Sequence, residues 1–581
     1  MRLLLRWKLV LVIMLVLVVG IIFIRKEQLH APTVVLTPIS ADVGVNQMGY
    51  APSAVKFAYT TLYVQQFSLV QLLDGQTVFT GTPKMSRLDE STGKEVYVLD
   101  FSSYKRSGTY QIRLPNGMGS APFQISPLVY EAVYKQAMRS YELQRCGVAI
   151  DDPLTHVQHA ECHINPAVLF TDKSQSRDVV GGWHDAGDFG KYMSNAGVTV
   201  AQLLLLQELA PQTAEDGVLD LPQPASDDPD ALAVIRVELE WMLKMQRQDG
   251  AVYHSVATAK FPGMILPQDD LATQYIYDIS TPDTAIFAAA MARASRAYQP
   301  YDESYSQRLL DASVKAWSFL TKSKEILSLE DKQAYRPSSD RDKRVWAAAE
   351  LYVTTGHPVF RNYVEQHIEE LELNPARIVP SYWQNTSSMA ILTLALGAQE
   401  EWELASELRQ RLIQHADMVV NKMNHSPYGS PLQPADYDWG STRTTLGYGL
   451  HLAAANQINP QPYYPHAISR QLDWVLGANP LAQSFVTGIG ISSPMQPHNR
   501  YTVASGVLIP GLLVGGPNTY TNDKIAPKKL GPHSYVDDSR SYATNENAID
   551  YNAALVVVAG YLNEWHQRRE QNWFSRLFQF Q

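Results

Sequence analysis

Two carboxylates, Asp185 and Asp188, lie in the stretch Val-Val-Gly-Gly-Trp-His-Asp-Ala-Gly-Asp-Phe-Gly-Lys at residues 179–191. Carboxyl groups on a segment bent by glycines suit proton transfer, one group giving a proton while another takes one. A tryptophan and a histidine stand directly before the pair, so the segment reads as a catalytic loop rather than a connector. A third carboxylate, Glu546, falls where the last long loop meets a helix, in Asn-Glu-Asn-Ala-Ile-Asp at 545–550. By position alone it also reads as a simple helix N-terminal charge, favourable against the macrodipole.

The elements that must hold these residues change character along the chain. Residues 43–125 form short runs rich in Val, Tyr, Phe and Thr, at 56–63, 67–73, 95–101 and 108–113. Turn signals at Asp74-Gly75, Thr92-Gly93 and Pro115-Asn116-Gly117 separate them, which predicts a small β-sandwich. Beyond Pro127 the hydrophobic period becomes about 3.6. Twelve helices are expected, near 128–141, 195–209, 229–248, 282–298, 303–323, 342–355, 359–373, 386–396, 402–422, 442–455, 465–476 and 547–571. Asp228-Pro229 and Thr281-Pro282 read as N-cap and first-turn proline pairs. Twelve helices make six antiparallel hairpins, which can close into a double-layered helical barrel with long loops gathered at one end. The fold class is therefore mainly α, an (α/α)6 barrel over 127–581 preceded by a sandwich over 43–126. Loops of functional length fall at 142–194, 249–281, 424–441 and 477–546.

At 581 residues, 45% hydrophobic and 18% charged, the chain can bury a sizeable core. A net charge of −10 with no basic cluster in the globular part argues against a nucleic-acid partner. Nothing in the sequence identifies a protein partner. Arg2, Arg6 and Lys8 precede an apolar run over 9–24 that Arg25, Lys26 and Glu27 close. No small-residue cleavage site follows, so residues 1–30 read as an uncleaved signal-anchor, with 31–42 as a linker; a cleaved signal and secretion is the alternative. The basic flank puts the bulk of the chain outside the membrane, in a bacterium the periplasm.

Hydrolysis of a glycosidic bond needs two carboxyl groups in opposite protonation states, which Asp185, Asp188 and Glu546 together can supply. Four ordered blocks then resemble glycoside hydrolase family nine, the cellulase-type inverting family with an immunoglobulin-like N-terminal domain. They are residues 181–192, the helical Trp-Ala-Ala-Ala-Glu-Leu-Tyr at 346–352, residues 476–490 with Pro-His-Asn-Arg at 497–500, and residues 535–553. Val-Asn-Gln-Met-Gly-Tyr at 45–50 resembles the opening strand of that family's sandwich.

The resemblance implies Asp188 as the base that deprotonates the attacking water, Asp185 as the residue that helps hold that water, and Glu546 as the acid that protonates the leaving oxygen. His498 and Arg500 match the family's substrate-gripping pair. Asp537 matches a position that orders the acid's surroundings, and Tyr542 is placed to contact sugar. Trp439, Trp383 and Tyr501 are loop aromatics able to stack on a pyranose face.

Cys146, Cys162, His163 and His184 match a structural zinc set, with His156 and His159 as nearby alternates and a Cys146–Cys162 disulfide as the rival. Calcium is the less secure cofactor. The family often carries an acidic Asp-Glu pair before the 346–352 helix, whereas this chain has Asp340-Arg-Asp-Lys-Arg344, whose basic residues oppose a hard cation. The substrate expected is a β-1,4-linked glucan or its oligomers; the alternatives are an exo-acting β-glucosaminidase on chitosan oligomers and a non-catalytic glycan binder.

Overall fold

The structure, a computed structural model, describes residues 37–215, 219–221, 228–327, 334–371 and 373–578. The expected anchor over 1–30 lies outside them. Among the described residues no helix is long and apolar enough to cross a membrane.

Nine short strands build the N-terminal unit: β1 Val43–Gly44, β2 Gly49–Tyr50, β3 Phe57–Thr60, β4 Phe67–Gln71, β5 Thr77–Gly81, β6 Lys84–Asp89, β7 Lys94–Asp100, β8 Gly108–Arg113 and β9 Phe123–Ile125. They form two sheets, ordered β1-β3-β7-β6 and β2-β9-β8-β4-β5. Phe67, Leu69, Leu99, Phe101, Tyr110, Ile112 and Phe123 fill the space between them, each burial contributing roughly 1.5–3 kcal/mol. Gly49 has no substitute. Its φ is +127°, and a Cβ there would sit 2.0 Å from the carbonyl oxygen of Gln124, so only glycine lets β2 lie along β9.

The segment around β2 also fastens the sandwich to the rest. The Asn46 amide donates to buried Asp473 at 2.7 Å, the Gln47 N–H to the Leu476 carbonyl at 2.9 Å, and Gln47 Nε2 to the Ala482 carbonyl at 2.9 Å. Tyr59 and Val96 of the sandwich join the same hydrophobic cluster as the helical core.

Among the described residues twelve principal helices follow: α1 Val129–Glu142, α2 Met193–Leu203, α3 Asp230–Lys244, α4 Thr281–Tyr298, α5 Glu303–Leu320, α6 Arg341–Thr355, α7 Pro358–His367, α8 Ser387–Gly397, α9 Glu403–His425, α10 Ser441–Ile458, α11 Tyr463–Val475 and α12 Ile549–Phe578. The six even-numbered helices touch in a closed ring, α2 to α4 to α6 to α8 to α10 to α12 and back to α2. Each odd-numbered helix packs outside one of them, and α1 closes the circle on α12. Alanine-rich faces permit this crowding; Ala285, Ala288, Ala289, Ala347, Ala348 and Ala349 are all fully buried. Because every hairpin returns from the outer layer to the inner one, the loops entering the inner helices share one end of the ring. Asp185 precedes α2, Trp383 precedes α8, Trp439 precedes α10 and Glu546 precedes α12.

Two expected caps differ. Helix α4 is capped by Ser280, whose Oγ accepts the Asp283 N–H, so Thr281 lies inside the first turn. Helix α3 begins at Asp230 with Pro229 at its N-cap and no side-chain cap bond, while Asp228 pairs with Arg236 at 2.7 Å.

Candidate active site

The loop over 179–192 is pinned before it presents its carboxylates. Lys191 is buried, and its ammonium donates to the carbonyls of Val179 at 2.8 Å and Gly181 at 2.7 Å, closing the loop on itself. The Trp183 N–H donates to buried Glu238 on α3 at 2.6 Å. Lys191–Tyr192 then forms the edge of a five-stranded sheet with Ser255–Thr258, Gln274–Ile276, Ala167–Leu169 and Ser176–Arg177.

Asp185 is fully buried. Its Oδ1 accepts from Asn195 of α2 at 2.7 Å, and its carbonyl accepts the Ile549 N–H that opens α12 at 2.9 Å. Burial, and next to it the Asp188 charge, hold the Asp185 carboxyl well above the usual carboxylate range, against the Tyr335 hydroxyl and the Asn195 amide. Asp188 Oδ2 accepts from the Gly190 N–H and the Tyr192 hydroxyl, both at 3.1 Å.

Glu546 meets the loop between the two aspartates, its Oε1 accepting the Gly187 N–H at 3.2 Å. Burial first and the Asp188 charge second push its carboxyl up to about 8, opposed by Arg500 and that N–H. Gly187 is obligatory: a Cβ there would lie 1.9 Å from the His498 carbonyl oxygen and 2.9 Å from Glu546 Oε1.

His498 donates through Nδ1 to the Ser539 carbonyl at 2.6 Å. A carbonyl only accepts, so Nδ1 carries the proton and the neutral ring keeps Nε2 as an acceptor. Burial lowers the His498 pKa and favours that neutral form. Arg500 is clamped to the loop: its N–H and Nη1 donate to the Gly187 carbonyl at 3.0 and 2.8 Å, and Nε to Pro262 at 2.9 Å. Asp537 has both oxygens engaged by protein, accepting from the Met495 and Gln496 N–H groups at 2.8 and 2.9 Å and from the Asn545 amide at 2.9 Å, so it ties together the strands of chain beside Glu546.

Trp439 and Tyr542 stack on each other, centroids 6.0 Å apart, and stay 42% and 37% exposed. Trp439 borders a cleft of about 430 Å³ lined also by Tyr335, Tyr382, Trp383, Arg443 and Tyr551. Trp383 is therefore a cleft residue. Tyr501 is not: it is buried with Ile509 and Leu512, and its hydroxyl accepts the Gln158 N–H at 2.9 Å. Sequence reasoning missed Tyr335, Tyr382, Arg443 and Tyr551. Arg443 stands in the first turn of α10, four residues after the loop residue Trp439, and that nearness was the available signal for it.

The Sγ atoms of Cys146 and Cys162 and one ring nitrogen each of His163 and His184 all lie within 4.8 Å of one another. Both cysteines are free thiols. His163 offers Nδ1 toward Cys146 while its Nε2 meets Asp270 at 3.3 Å, the outer-shell carboxylate that fixes a metal-binding imidazole. Four convergent donors with an oriented histidine fit a tetrahedral metal. His159 is turned away, its Nδ1 on the Ala160 carbonyl at 2.8 Å. The segment 340–344 does not fit a hard cation, because Asp340 pairs with Arg344 at 2.8 Å and Asp342 with Lys343 at 2.9 Å.

A helical ring whose loop end holds three carboxylates and an aromatic cleft, joined where Tyr335 of the cleft faces Asp185, is the arrangement of a glycan-processing enzyme. The profile of Glycosyl hydrolase family 9 matches residues 130–559, and that of the Cellulase N-terminal ig-like domain matches residues 39–118. The chain belongs to glycosyl hydrolase family 9. It is 33% identical over 541 residues to Endoglucanase D of Acetivibrio thermocellus, covering 90% of this chain and 83% of that protein. A metagenome-derived family 9 endoglucanase superposes with a TM-score of 0.86 at 40% identity, covering 90% of this chain and 99% of that one. A Zn-binding triple mutant of another family 9 endoglucanase superposes with a TM-score of 0.84 at 36% identity, covering 88% and 99%. None of these relatives supports the glucosaminidase alternative.

Proposed function

We propose that this protein is an inverting glycoside hydrolase that cleaves β-1,4 bonds in glucans or cello-oligosaccharides, a reading supported by relatives named endoglucanases. Asp188 is the base that takes a proton from the attacking water, Asp185 holds that water, and Glu546 protonates the leaving oxygen. The observation that carries this reading is the contact of Glu546 Oε1 with the Gly187 N–H, which sets the acid against the loop bearing both aspartates. A Glu546 pKa of about 8 keeps its proton available at neutral pH. Inversion requires room for a water between acid and base, a carboxyl separation of roughly 6.5–9.5 Å.

Sugar rings stack on Trp439, Tyr542 and Trp383, and His498 Nε2 accepts from a hydroxyl near the scissile bond. Arg500 and Asp537 act mainly through the backbone they hold. The catalytic unit is an (α/α)6 barrel over 127–581, with an immunoglobulin-like sandwich over 43–126 and a signal-anchor over 1–30 that keeps both outside the inner membrane. Cys146, Cys162, His163 and His184 hold a structural zinc, which supplies no reaction step and fixes the backbone one residue ahead of Asp185.

The test is purified full-length protein on carboxymethylcellulose and cellodextrins. Soluble cello-oligosaccharides are expected from the wild type and none from Glu546→Gln; equal turnover by the two would remove Glu546 from the mechanism.

A further inference from the structure

The turn that carries Trp383 into the cleft wall is held by a cation of the protein's own. Lys343, in the first turn of α6, is only 1% exposed. Its ammonium faces three oxygens, the two of the Asp342 carboxylate at 2.9 and 3.0 Å and the Gln384 carbonyl at 2.5 Å. Consecutive helical residues normally point apart, so a bond between Asp342 and Lys343 means that both are drawn to a common point. That point is the turn before α8. Asp342 Oδ2 also accepts the N–H and hydroxyl of Thr386 at 2.7 and 3.1 Å, while Tyr382 and Asn385 exchange backbone hydrogen bonds at 2.9 and 3.0 Å.

A buried positive charge caged by a carboxylate and a backbone carbonyl is the surrounding a hard divalent ion takes. Here an ammonium with three donors meets three acceptors. We propose that Lys343 is the resident cation of this niche, its ammonium standing in for a bridging metal that locks the 382–386 turn to α6 and so positions the Trp383 wall of the cleft. Trp383 meets the Tyr335 ring edge-on at 5.5 Å, and Tyr335 faces Asp185. Lys343 touches no substrate; it is a positioning residue. Its kinetic consequence rests on the glucan-cleft reading, whereas its cation chemistry does not.

The test compares full-length wild type, Lys343→Met and Lys343→Glu, with and without millimolar CaCl2, by thermal melting, calcium calorimetry, and kcat and KM on cellohexaose. Wild type should give a flat calcium isotherm and an unmoved Tm. Lys343→Met should melt several degrees lower and lose roughly tenfold in kcat/KM, mainly through KM, with no recovery in calcium. Lys343→Glu should melt low without metal, bind calcium saturably, and regain both Tm and KM with it. Lys343→Gln replaces the methionine variant if that is not recovered folded. The proposal is overturned if calcium raises the wild-type Tm, if Lys343→Met keeps wild-type Tm and KM, or if Lys343→Glu gains no calcium response. If cellohexaose is not hydrolysed by any form, the glucan reading fails while the Tm and calorimetry still decide the cation's role.

Discussion

Replacing Gly187 with alanine probes whether Glu546 and the two aspartates act as one unit. The added Cβ would start 1.9 Å from the His498 carbonyl oxygen and 2.9 Å from Glu546 Oε1, whereas ordinary contact begins at 3.4 Å. The closer obstacle is backbone, so the loop must retreat by about 1.5 Å, the difference between 3.4 and 1.9 Å. A retreat of that size breaks the Gly187 N–H contact with Glu546 and loosens both Arg500 bonds to the Gly187 carbonyl. A misplacement of about 1 Å at a reacting centre costs on the order of 10²-fold in rate, or about 2.7 kcal/mol of barrier. Steady-state hydrolysis of cellohexaose should therefore fall about a hundredfold in kcat/KM. Gly263→Ala is the control: its added Cβ meets nothing within 4 Å, and it neighbours Pro262, which Arg500 contacts. It should leave the rate unchanged. A Gly187→Ala protein that keeps wild-type rates would refute the packing argument, and an equal loss in both variants would show that the effect is not specific to Glu546.

The remaining predictions concern proton, metal and sugar. Glu546 is raised from 4.5 to about 8, so between those values the folded chain holds a proton that the unfolded chain has released, and stability falls as pH rises through the window. Glu546→Gln should therefore match wild type in Tm near pH 4 and exceed it near pH 9, while the wild-type rate declines on the alkaline side near pH 8; a constant Tm difference across pH would contradict the raised value. Zinc should be present at about one equivalent, and two thiols should become titratable only after chelation and denaturation; metal analysis with thiol counting checks both, and an intact disulfide would refute the site. Trp439→Ala removes an exposed stacking ring and should raise KM for long cellodextrins several-fold with kcat nearly unchanged; a fall confined to kcat would argue against a binding role.

Much of this architecture is legible because its signals are long. Twelve stretches of helical period become twelve helices, and Gly108–Arg113 appears as the strand expected there. What escapes is short or non-local. The sheet that anchors the loop over 179–192 uses strands of two to four residues, too brief for any periodicity to register. Asp228 looks like a helix cap next to Pro229, but Pro229 itself stands at the N-cap and Arg236, eight residues on within α3, pairs with the Asp228 carboxylate. Gly187 reads in sequence as mere flexibility; its necessity comes from His498, more than three hundred residues later, pressing on the same point. The basic residues at 341–344 argue in the sequence against a calcium site, yet nothing local says that Lys343 turns inward to the Gln384 carbonyl.

Inversion is the central chemical claim, because it requires Asp188 to act on water while Glu546 protonates the departing sugar, with no covalent intermediate. Proton NMR of cellopentaose in the first minutes of hydrolysis, before mutarotation equilibrates the ends, reads it directly. The account predicts that the newly formed reducing end appears first as the α-anomer. First appearance of the β-anomer would mean retention through a covalent intermediate and would contradict the roles given to Asp188 and Glu546.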